Sequence, residues 1–70
     1  MQQFNLEGHD YITLNNLLKV EGWVESGARA KMVIAEGLVT VDGEIELRKT
    51  CKIRDGQSIH FDNNHIKVVA

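Results

Sequence analysis

The sequence predicts an α+β domain: two short helices toward the N-terminus, packed on a small, mostly antiparallel sheet. The first half of the chain carries two apolar stripes at helical spacing, Leu14/Leu17/Leu18 and Ala30/Val33/Ile34, each followed by a glycine. From Val39 onward the apolar residues alternate instead, and turn-forming pairs such as Asp42-Gly43 and Asp55-Gly56 interrupt them. With 70 residues and 43% hydrophobic composition, residues 1–70 form a single domain with an economical core. That leaves no room for a separate catalytic domain.

Residues 1–6 read as a short strand, with Phe4 and Leu6 alternating against polar neighbours, and Gly8-His9-Asp10 as a turn. Thr13 is placed to cap the first helix, Ile12 and Leu17 occupy the two positions of a hydrophobic staple, and Gly22 ends the helix. The second helix is signalled at Ser26 and runs to Glu36, with Gly37 available for the left-handed terminating conformation. Its far face, Ala28/Met32/Ala35, is small and mildly apolar. Arg29 and Lys31 flank the core stripe roughly 200° apart at 100° per residue, so either of them is free to face a ligand. Val39-Thr40-Val41 and Glu44-Ile45-Glu46-Leu47 form a hairpin about Asp42-Gly43. Strands are then expected at Ser58–Phe61 and His65–Val69, separated by a turn at Asp62-Asn63-Asn64. Trp23, between the helices, reads as a plug for the inter-helix corner in preference to a base-stacking platform.

Charge is unevenly distributed. The net charge is −2, but residues 1–47 hold Lys19, Arg29 and Lys31 against eight acids, whereas residues 48–70 hold five basic residues against Asp55 and Asp62. Arg48, Lys49, Lys52 and Arg54 crowd into seven positions with no acid among them. Such asymmetry points to an anionic partner. In an extended segment with Ile53 inward, Lys52 and Arg54 share one face and Lys49 takes the other.

Enzymatic chemistry finds no support. His9, His60, His65 and Cys51 are scattered without metal-ligand spacing, no carboxylate pair stands out, and there is no glycine-rich phosphate loop. No metal or cofactor is implied. Cys51 reads as a structural thiol, and as the lone cysteine it fits a reducing cytoplasm. No stretch approaches the roughly 20 apolar residues of a membrane span, and residues 1–6 show no export signal. What remains is a polyanion-binding surface. The start of the second helix offers backbone amides at Ser26, Gly27 and Ala28, and Gly27 has no side chain to hold a phosphate away. Arg29 or Lys31 would add a charge-assisted contact, and Arg48, Lys49, Lys52 and Arg54 would supply the rest.

Residues 14–61 resemble the RNA-binding domain typified by ribosomal protein S-four, the αL motif. The carrying residues are Ser26-Gly27-Ala28-Arg29-Ala30-Lys31, Gly37-Leu38-Val39-Thr40-Val41-Asp42-Gly43 and Ile53-Arg54-Asp55-Gly56, in the family's order. Within that superfamily the Glu21-Gly22-Trp23 corner, the Arg48-Lys49-x-x-Lys52-Ile53 run and the final Val68-Val69-Ala70 are similar to the small stand-alone YbcJ-like proteins of bacteria. The resemblance implies two helices followed by an antiparallel sheet, with a basic surface that binds structured RNA, ribosomal RNA or tRNA. It implies no catalysis, a cytoplasmic monomer, and a link to ribosome assembly or translation with ribosomal proteins as further partners. The sequence departs from the family at Gly27, where Arg is common, at Arg29, where Glu is common, and at Lys31, which replaces the usual Arg and its planar fork. The alternative is a protein-interaction adaptor docking through the acidic part and the Ala28/Met32/Ala35 face.

Overall fold

A computed structural model describes residues 2–70; Met1, part of the expected first strand, lies outside the described residues. The elements in chain order are β1 (Gln2–Asn5), β2 (Ile12–Thr13), α1 (Leu14–Val20), α2 (Gly27–Ala35), β3 (Val39–Val41), β4 (Glu44–Ile45), β5 (Lys52–Ile53), β6 (Ser58–Phe61) and β7 (Asn64–Val69). This is the α+β architecture expected, with the two helices preceded by two short strands. The main sheet has the order β1-β7-β6-β3-β4, and a separate ribbon joins β2 to β5. Among the described residues only the β1–β7 pairing is parallel.

The core is built from the predicted stripes. Leu14, Leu17 and Leu18 of α1 and Ala30, Val33 and Ile34 of α2 are buried against Val39, Ile53, Ile59, Ile66 and Val68. Trp23 is half-buried on this cluster, as a corner plug would be.

Both helices end in the same way. Gly22 has φ 74°, its amide donates to Lys19 and the Trp23 amide donates to Leu18; Gly37 has φ 78°, its amide donates to Ile34 and the Leu38 amide donates to Val33. This double bond pattern requires a residue in the left-handed region, where glycine meets no Cβ penalty.

Thr13 and the last turn depart from the expectation. Thr13 has the extended backbone of a cap, but its side chain makes no capping bond. The last turn is shorter than expected, because Asn64 pairs with Phe61 and so already belongs to β7. In the first hairpin Asp42 and Gly43 both have positive φ, which sets Val41 opposite Glu44 and Thr40 opposite Ile45. Val39 and Val41 point inward, so Thr40 and its partner Ile45 share the outer face. Ile45 and Leu47 are accordingly exposed, while Glu46 is half-buried.

Candidate nucleic-acid interface

The basic segment is tied to the fold through its backbone. The Leu14 amide donates to the Cys51 carbonyl at 2.8 Å and the Asn15 amide to the Lys49 carbonyl at 3.1 Å. These carbonyls satisfy the first amides of α1, the role sequence reading gave to Thr13. Next to this cap, β5 pairs antiparallel with β2, setting Ile53 opposite Ile12 and Lys52 opposite Thr13. Ile53 is fully buried, so alternation turns Lys52 and Arg54 outward.

Lys52 and Arg54 meet at Tyr11, with Lys52 Nζ 5.1 Å and Arg54 Cζ 5.5 Å from the ring centroid. Both distances lie within the range of cation–π attraction. Sequence reading missed Tyr11. A signal was present: once Ile12 and Ile53 are an inward pair, Tyr11 must fall on the face that carries Lys52 and Arg54.

The other cations have different surroundings. Arg48 forms a forked pair with Glu46, Nε to Oε2 at 3.0 Å and Nη2 to Oε1 at 2.9 Å, and its amide also donates to Oε2 at 2.9 Å. Hydrogen bonding to Arg48 pulls the Glu46 carboxyl from its ordinary 4.5 down to about 2, and Glu46 in turn raises the Arg48 pKa. Arg48 is therefore neutralised in place, a tie foreshadowed by the i, i+2 spacing of Glu46 and Arg48. Arg29 lines a different groove, together with Trp23, Glu25, Phe61 and Asp62, and its Nη1 lies 3.3 Å from Met32 Sδ. Lys31 and Lys49 are exposed. Among the described residues only Arg48 is in an ion pair.

At the start of α2, Ser26 is extended (φ −153°) and its Oγ accepts the Arg29 amide at 3.1 Å, so its hydroxyl serves first as a helix cap. Gly27 has open space where a Cβ would stand. Burial is the main cause that raises the pKa of the Cys51 thiol, with the Glu46 charge adding to it. That thiol stays protonated near neutral pH and is a poor nucleophile. Among the described residues no group of three or more His, Cys, Asp or Glu could hold a metal ion. Among the described residues no helix is long and apolar enough to cross a membrane.

The small α+β fold and its outward basic residues on β5 define the class of a binding domain. The S4 domain family model matches residues 4–69, and the chain belongs to that family. It is 53% identical, over the full length of both chains, to YbcJ of Escherichia coli (strain K12) and to YbcJ of Shigella flexneri. Its fold is similar to the solution structure of Escherichia coli YbcJ, with a TM-score of 0.76 at 53% identity, covering 100% of this chain and 89% of that one. That structure is described as revealing an αL motif involved in RNA binding. Family and fold together define a binding module, not an enzyme.

Proposed function

We propose that this chain is a cytoplasmic, monomeric module, residues 1–70 acting as one unit, that grips structured RNA by shape and phosphate. Ribosomal RNA or tRNA is the target class, which links the protein to ribosome assembly or translation. The observation that carries this reading is the Lys52–Arg54 pair: two cations with no carboxylate partner among the described residues, held at one ring directly after the backbone segment pinned to α1. The relative whose motif is described as involved in RNA binding adds to it. Lys49 extends the same segment. Gly27 with either Arg29 or Lys31, and Ser26 as the cap, supplies a second contact, and Arg48 joins once RNA phosphate competes for it with Glu46.

Labelled ribosomal RNA and tRNA fragments titrated at several salt concentrations test the proposal. If about four phosphates are engaged, the slope of log K against log salt falls near −3 to −4. A protein carrying both Lys49→Glu and Lys52→Glu should keep its fold and lose at least about tenfold in affinity at low salt. A flat salt response, or unchanged binding by the double variant, rejects the reading. An adaptor role draws instead on the acidic part and the exposed Ala28/Met32/Ala35 face, to which the structure adds Leu38, Ile45 and Leu47, exposed near Gly37. Protein partners retained after ribonuclease treatment would favour that role.

A further inference from the structure

We infer that Tyr11 is a stacking site for an unpaired nucleotide, so that the preferred ligand is an RNA helix interrupted by a bulge or loop. The inference rests on the RNA-binding reading above and narrows its ligand.

Tyr11 is 39% exposed, although Ile12 beside it packs on the core. Part of the Tyr11 surface is therefore open to a ligand. Lys52 and Arg54 both lean toward that ring, and no carboxylate compensates either one among the described residues. Holding two like charges at one ring is unfavourable by itself, and an anion placed between them relieves the repulsion. The ring borders, in addition, a shallow groove that neither cation lines. Its walls are His9, Asp10, Ile12, Thr13 and Asn16.

The cation pair and the groove, which both adjoin Tyr11, suit different parts of a nucleotide. A phosphate fits Lys52 and Arg54, whereas the Asp10 carboxylate repels it from the groove. The groove's mixture of donors and acceptors matches the edge of a base, and the ring offers that base a face to stack on. In a continuous duplex both faces of each base are covered by neighbours, so only an unstacked nucleotide can take this position. Stacking on an aromatic is tolerant of base identity. The site thus selects RNA by the presence of a free base, with little dependence on sequence.

The experiment uses two short RNA stems, one fully paired and one with a single bulged 2-aminopurine, titrated with the full chain at several salt concentrations. The wild-type protein should bind the bulged stem about tenfold more tightly, with the 2-aminopurine fluorescence quenched by stacking. Tyr11→Ala should lose the quenching and bind the bulged stem no more tightly than the paired one. Tyr11→Phe should keep both the quenching and the preference. If wild-type protein binds the two stems equally, or Tyr11→Ala retains the preference, the stacking site is wrong while the RNA-binding reading stands. If neither stem binds even at low salt, both fall. An unchanged far-ultraviolet circular dichroism spectrum shows that Tyr11→Ala is folded.

Discussion

The two helices end alike but begin differently. At the start of α2 a serine one residue away accepts the Arg29 amide, a local cap of the usual kind. At the start of α1 no side chain does this, and the amides of Leu14 and Asn15 reach the carbonyls of Cys51 and Lys49, far along the chain. The first arrangement stabilises only its own helix. The second also fixes the backbone of the basic segment, so Lys49 in its turn and Lys52 on β5 are held in place before any ligand arrives. Preformed charge of this sort lowers the ordering cost of binding.

The largest expected effect comes from breaking the anchor under the distant cap. Ile53 is fully buried on β5, and Ile53→Ala should cost about 2–5 kcal/mol in urea unfolding. Hydrogen exchange should show the Leu14 and Asn15 amides losing protection more than the amides at the start of α2. Equal loss at both helix starts would mean the anchor is not specific to α1.

A smaller effect sharpens the contrast between the caps. Ser26→Ala should destabilise by about 1 kcal/mol, because the Arg29 amide loses its acceptor. Thr13→Ala should cost less than about 0.5 kcal/mol, since its side chain caps nothing. Comparable losses would show that Thr13 contributes a cap in solution.

The smallest effect concerns the side-chain tie at the entrance of the basic segment. Arg48 is largely exposed, so its pair with Glu46 is weakened by solvent screening. The folded-state pKa of Glu46 is depressed, so the pair's contribution is complete above about 4.5 and is lost as pH falls toward about 2. Wild-type and Glu46→Gln proteins should therefore differ slightly in stability at neutral pH and converge in acid. A constant difference across that range would place the effect elsewhere. The same variant should steepen the salt slope of RNA binding by about one, as Arg48 becomes free for a phosphate.

What the sequence made legible follows this division between near and far partners. The glycines after each apolar stripe announced both helix ends, and Ser26 announced its cap, because every group involved lies within a few residues. The start of α1 was not legible, since its acceptors are carbonyls that any residue carries and only folding brings them there. The outward placement of Ile45 and Leu47 was available in principle. Alternation gives two sets of residues without saying which faces the core, and the register of the two-residue Asp42-Gly43 turn decides it. The same holds for the candidate interface. Alternation around Ile53 put Lys52 and Arg54 on one face, whereas Tyr11 joins them only through the pairing of β2 with β5. Glu46 beside Arg48 could have been noticed from spacing alone.

The parallel contact between β1 and β7 has a consequence for how the chain folds. It sets Gln2 beside Ile66, partners near opposite ends of the sequence, whereas β6 meets β7 across a tight turn. Closing so long a loop is entropically slow, and β1 offers only a half-buried Phe4 and the neighbouring buried Leu6 in return. The first strand is thus the last to dock and the first to fray, leaving the β6–β7 hairpin to act as the template on which the sheet is completed.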